Sequence, residues 1–174
     1  MFRDFSAPAA FVGLAMILGG CAPEAAAENA GAAGSGAGTP ADMALAATIA
    51  ATPTITVYKL PTCGCCAMWV DHMRDAGFKI EVHDTQEMAA VKADAGIPPQ
   101  LQSCHTAFVG DYVFEGHIPA EVIAKFLAAA PAARGLAVPG MPAGSPGMEM
   151  GARVDSYDVI AFDADGNTAV YESR

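Results

Sequence analysis

Residues 55–66 read Ile55-Thr56-Val57-Tyr58-Lys59-Leu60-Pro61-Thr62-Cys63-Gly64-Cys65-Cys66. The β-branched and aromatic first half suits an extended, half-buried strand. Thr62 then offers an N-cap for a helix running to Gly77, whose glycine suits a left-handed stop. Within it Cys66, Trp69, Val70 and Met73 recur at i, i+3, i+4 and i+7, which places them on one face. A strand therefore feeds a helix whose first turn carries three thiols.

Working outward, Lys79 to His83 reads as a strand and Thr85 to Ala95 as a helix ended by Gly96, Pro98 and Pro99. Thr106 to Val109 and Tyr112 to Phe114, joined by Gly110-Asp111, predict a hairpin, and Pro119 opens a helix to about Ala130. The resulting order, β-α-β-α-β-β-α over 55–130, resembles the thioredoxin fold: α/β, with a mixed four-stranded sheet and helices on both faces. Leu136 to Gly151 is a Met/Pro/Gly loop that cannot be helical. Tyr157 to Phe162 and Thr168 to Tyr171 predict a C-terminal β-hairpin, spanning 157–172, that extends the sheet. Its turn, Asp163 to Asn167, lacks the glycine and glutamate positions of a calcium loop and reads as a plain turn.

Upstream of this domain, expected over 53–174, residues 1–21 have the layout of a signal peptide: Arg3, an apolar run from Pro8 to Gly20, then small residues. The run falls short of the about 20 residues needed to cross a bilayer. Leu18-Gly19-Gly20-Cys21 resembles a lipoprotein signal, which would make Cys21 a lipidated first residue; cleavage after Ala25-Ala26-Ala27 is the alternative. Residues 22–52, rich in Ala and Gly, read as a disordered tether. The expectation is a periplasmic protein that meets the membrane only through a lipid anchor. A formal charge of -10, from 9 Lys+Arg against 19 Asp+Glu, leaves no basic face and argues against nucleic-acid binding.

Four thiols remain in the domain: Cys63, Cys65, Cys66 and Cys104. The first three sit where unpaired N–H groups and the helix dipole favour thiolate. In the expected topology the third strand runs antiparallel to the first, which brings Cys104 beside them. Cys65 and Cys66 are too close in sequence to pair easily, whereas Cys63 with Cys66 forms an ordinary C-x-x-C. Three readings stay open: structural disulfides, redox catalysis with Cys63 as nucleophile and Cys66 as resolving thiol, and metal binding. Crowded thiolates repel unless cations separate them, and soft sulfur selects copper(I), zinc or iron-sulfur clusters. Copper(I), which accepts low coordination and bridging sulfur, suits a C-x-C-C plus one distant cysteine better than tetrahedral zinc does.

Cys63-Gly64-Cys65-Cys66, Ser103-Cys104-His105-Thr106, Glu115-Gly116-His117-Ile118-Pro119-Ala120, Gly135 to Pro142 and Gly144 to Gly151 together resemble the CopG-type periplasmic copper-resistance proteins, catalogued as a domain of unknown function. The resemblance spans about Ile55 to Glu172. It implies a thioredoxin-like protein in which Cys63, Cys65, Cys66 and Cys104 hold a multinuclear copper cluster, several Cu(I) ions per chain, in copper resistance. A redox role, as a copper-dependent oxidoreductase exchanging electrons or copper with other periplasmic proteins, goes with it. His105 and His117 are secondary ligand candidates, against roles in satisfying backbone groups or shaping a turn. Met141, Met148 and Met150 offer thioethers on a loop that either covers the site or fills gaps over the sheet. His72 and His83 read as surface residues and Trp69 as core. Against the thiol-disulfide oxidoreductase reading, Cys104-His105 stands where thioredoxin-type enzymes place a proline.

Overall fold

The computed structural model describes residues 38–174; the signal peptide, Cys21 and residues 22–37 of the expected tether lie outside the described residues. The tether expectation requires correction at its end, because Pro40–Ala51 forms helix α1. Thr39 and Asp42 make a reciprocal capping box there: the Asp42 N–H donates to Thr39 Oγ1 at 3.2 Å and the Thr39 N–H to Asp42 Oδ2 at 2.9 Å. Leu45 and Ile49 then pack against the main core. Alanine, which makes the segment look featureless, is also the best helix former.

The following elements are β1 (Ile55–Lys59), α2 (Gly64–Asp75), β2 (Ile80–Asp84), α3 (Met88–Asp94), a 3₁₀ turn at Pro99–Leu101, β3 (Thr106–Val109), β4 (Tyr112–Glu115) and α4 (Ala120–Ala129). Three further strands complete the chain: β5 (Gly135–Ala137), β6 (Asp158–Phe162) and β7 (Thr168–Ser173). The predicted order over 55–130 is thus present. Helix α3 starts later than expected because Thr85 Oγ1 accepts from the Glu87 N–H at 3.0 Å, a local turn that competes with helix.

The sheet has seven strands in the order β2-β1-β3-β4-β5-β6-β7, which corrects the expected four. Strands β1 and β2 are parallel, β3 and β4 antiparallel, and β5 lies parallel to β4 with Leu136 opposite Phe114. The triplet Gly135-Leu136-Ala137 is too short to show alternation in sequence. A Cβ on Gly135 would lie only 1.8 Å from the Val113 carbonyl oxygen, so glycine is what permits this approach. Strands β6 and β7 form the predicted hairpin, with β6 antiparallel to β5. Asp163 closes its turn by accepting from the N–H groups of Asp165 and Asn167, both at 2.9 Å.

Alternating residues separate two apolar faces. One carries Ile55, Val57, Ala107, Phe114 and Leu136 beneath Trp69, Val70 and Met73 of α2 and Val122, Ile123 and Phe126 of α4. The other packs Val113, Ala137 and Phe162 against Ala95, Ile97 and Leu101, in the stretch from the C-cap of α3 to the 3₁₀ turn. Helices therefore lie on both faces, as expected.

Candidate metal centre

The antiparallel pairing of β1 with β3 sets Tyr58 opposite Thr106. Two residues beyond Tyr58 the chain leaves the sheet for the cysteine turn, and two residues before Thr106 lies Cys104. Register alone thus carries Cys104 to the start of α2. One donor atom each from Cys63, Cys65, Cys66 and Cys104 lies within 4.8 Å of the others.

Cys63 takes the N-cap position expected of Thr62, with φ -76° and ψ 96° and no side-chain capping bond. Its sulfur is engaged elsewhere: Cys63 and Cys66 form a disulfide, with Cα atoms 5.3 Å apart. Cys65 and Cys104 are the free cysteines among the described residues. Cys65 Sγ lies 3.5 Å from Cys63 Sγ, so the third thiol of the turn sits against the disulfide.

Cys104 meets both candidate histidines. Its Sγ is 2.9 Å from His117 Nε2 and 3.5 Å from His105 Nδ1. His117 Nδ1 lies 2.7 Å from the Pro146 carbonyl oxygen, which can only accept. Nδ1 therefore carries the proton and the Nε2 lone pair faces sulfur. His105 is fully buried under Trp69, ring centroids 4.3 Å apart, and its Nε2 has no partner among the described residues. Cys104, His105 and His117 form a second group of converging donors.

The electrostatics keep this corner neutral in the metal-free protein. Burial first, then the nearby Cys65 sulfur, pushes the Cys104 thiol up to about 12. Burial holds His105 well below the usual histidine range, helped by His117, Lys92 and Lys59. Burial also lowers His117, against the opposing pull of its Pro146 bond and Glu149. The helix-start activation expected for the first three thiols does not reach Cys104, which sits at a strand start.

The Met/Pro/Gly loop covers the site through its backbone. Gly147, at φ +82°, presses on α2 so closely that a Cβ would lie 2.7 Å from the Cys65 carbonyl oxygen and 2.8 Å from the Trp69 nitrogen. Pro146 accepts from His117 one residue earlier. Met148 is half-buried, whereas Met141 and Met150 are 55% and 71% exposed.

Two groups escaped the sequence reading. His72, expected at the surface, accepts from the Ala120 N–H at 3.1 Å and satisfies an otherwise open donor at the start of α4. Its only signal is its place three residues after Trp69, itself tied to the Ile118 carbonyl oxygen at 2.8 Å. Lys92 and Glu115, buried at 6% and 0% exposure, form an ion pair at 2.5 Å. A lysine mid-helix and a glutamate ending a strand gave no hint of it. His83, pairing with Glu81 at 3.0 Å, is exposed as expected.

This geometry gives meaning to the comparisons with known proteins. A family profile described as "Protein of unknown function, DUF411" matches residues 101–148. Two solved structures of "Copper resistance protein copG", Form 1 and Form 2, are 41% and 40% identical to this chain, each with a TM-score of 0.67. The matches cover 71% and 70% of this chain and 98% and 97% of theirs. The chain belongs to the CopG-type copper-resistance family. No curated protein matches it. The family assignment, with the clustered cysteines and histidines, supports copper binding. No helix among the described residues is long and apolar enough to cross a membrane.

Proposed function

We propose that this protein is a thioredoxin-like, cell-envelope copper-binding protein that holds several Cu(I) ions as a thiolate-bridged cluster on Cys63, Cys65, Cys66 and Cys104. The observation that carries this reading is the convergence of four sulfur donors, from two distant stretches of chain, within 4.8 Å. Each bound monovalent ion would offset a thiolate charge that the cramped site disfavours. Copper is the cargo. His117 Nε2, 2.9 Å from Cys104 Sγ, and His105 Nδ1, 3.5 Å from it, are the ring nitrogens that face this sulfur.

The disulfide ties this function to redox state. Cys63 and Cys66 offer no thiolate while bonded to each other, so loading all four sulfurs requires two electrons and two protons to open the S–S bond, supplied by an external thiol or electron donor. Export by the signal at residues 1–21, lipidation of Cys21 and exchange of copper or electrons with other periplasmic proteins complete the proposal.

The test is anaerobic titration of reduced, copper-free protein with Cu(I). Two or more tightly held ions per chain are expected, and fewer would refute the cluster. Cys65→Ser is expected to remove most of the capacity. A second reading, thiol-disulfide exchange at Cys63 and Cys66, is favoured specifically by their disulfide. Turnover of a model disulfide by metal-free protein, abolished by Cys63→Ser alone, would establish it in place of the first.

A further inference from the structure

The buried pair Lys92–Glu115 lies outside the sulfur cluster, yet its hydrogen bonds end on Ser103 and Thr106, which flank the cluster's most isolated cysteine. Glu115 Oε1 accepts from Lys92 Nζ at 2.5 Å and from the Ser103 backbone N–H at 2.6 Å. Glu115 Oε2 accepts from Thr106 Oγ1 at 2.7 Å, and Thr106 Oγ1 accepts in turn from Lys92 Nζ at 3.1 Å. Donors on both sides of Cys104 therefore converge on one carboxylate. Gly116, at φ +77°, extends the clamp: a Cβ there would lie 2.6 Å from Ser103 Cβ.

We infer that Glu115, held in place by Lys92 of α3, is a positioning residue that sets Cys104 opposite the Cys63–Cys66 turn. Nothing covalent restrains Cys104. The segment Ser103 to His105 precedes β3 and lacks ladder partners of its own except the bond from Gly116 N–H to the His105 carbonyl oxygen at 3.0 Å. A carboxylate that takes both the Ser103 N–H and the Thr106 hydroxyl spans the cysteine like a staple. Lys92 satisfies the carboxylate's charge where water cannot, and orders the Thr106 hydroxyl so that it donates to Glu115. Of the 9 Lys+Arg, Lys59 and Lys92 are buried; Lys59 pairs with the half-exposed Asp84, whereas Lys92 pairs with a carboxylate that is itself fully buried, an arrangement explained by this task better than by stability, for which an apolar pair would serve as well.

The inference rests on the copper reading only for its consequence, and its main test needs no metal. Full-length, copper-free protein with Cys63–Cys66 oxidised is pulsed with iodoacetamide, and peptide mass spectrometry follows Cys65 and Cys104 separately. Glu115→Ala removes both bonds from the Cys104 segment to this carboxylate and is expected to accelerate alkylation of Cys104 at least about tenfold, the change that either bond alone would bring, while Cys65 is unaltered. Lys92→Met should move Cys104 in the same direction and Lys92→Arg should restore it. Unchanged Cys104 reactivity, or equal acceleration at both thiols, overturns the positioning role. Hydrogen exchange of the wild-type protein gives a check independent of variant folding: the Ser103 amide should be protected, and exchange at open-loop rate would also overturn it. Cu(I) uptake by Glu115→Ala should fall to that of Cys104→Ser. Wild-type protein that binds no Cu(I) would defeat the copper reading and leave the alkylation result standing.

Discussion

The two stretches that supply sulfur are built on opposite principles. Cys63, Cys65 and Cys66 lie within one helical turn, and Cys63 and Cys66 are joined covalently. Cys104 stands before β3 beside its neighbour His105 and depends on a buried carboxylate, a buried lysine and His117, all drawn from other parts of the chain. Neighbours in sequence create the first half, whereas tertiary structure creates the second. A set of sulfur donors assembled this way has one half fixed by its own local turn and another that reports whether the sheet is intact.

The difference can be broken from the tertiary side first. Glu115→Ala strands a buried ammonium and is expected to cost about 3–5 kcal/mol in urea unfolding, whereas Lys92→Met with Glu115→Gln, which removes both charges and keeps the volume, should cost far less. Equal losses would show that packing, not the pairing of charge, holds Cys104. Gly147→Ala forces a left-handed backbone and a clash with α2, an expected loss of about 2–3 kcal/mol by the same measurement. Reducing Cys63–Cys66 attacks the local half. So short a loop contributes only about 2 kcal/mol, so reduced protein should remain folded by circular dichroism and ready to accept copper.

The gentlest probe is pH, applied to oxidised, copper-free protein. His105 and His117 have folded-state pKa values below their ordinary 6.5, so the unfolded chain binds more protons below that pH. Stability is full above about 6.5 and falls as pH drops through the folded values, by up to about 1.4 kcal/mol per pH unit for each histidine. Cys104 acts in the other direction: its contribution is complete below its ordinary 9.0 and lost as pH rises toward about 12. Urea midpoints should peak between these limits, and a flat profile would show that these side chains are not buried as described.

How much could be read in advance follows the same division. Periodicity in α2, Cys66-Trp69-Val70-Met73, and alternation in β1 report burial directly, and the element order from 55 to 130 was legible. Convergence of Cys104 on the first cysteines was legible too, because antiparallel pairing of β1 and β3 implies it. Strand β5 was not, since three residues carry no periodicity and its stability comes from neighbours on both sides. Nor was α1, whose alanines suggest both disorder and helix until Leu45 and Ile49 find the core. The Lys92–Glu115 bond joins residues 23 apart with no pattern between them. Which methionines of the loop are exposed is likewise not encoded in its composition.

Strand β5 has a consequence for how copies of this chain could meet. Had the sheet ended at β4, a row of open backbone donors and acceptors would run beside Glu115 and the cysteine corner, inviting a second molecule to add its own strand there. With β5, β6 and β7 in place, that invitation is moved outward by three strand widths, about 14 Å. Any ribbon-to-ribbon association on that side must then begin at β7, leaving the four cysteines of each chain to themselves instead of pooling them across a seam.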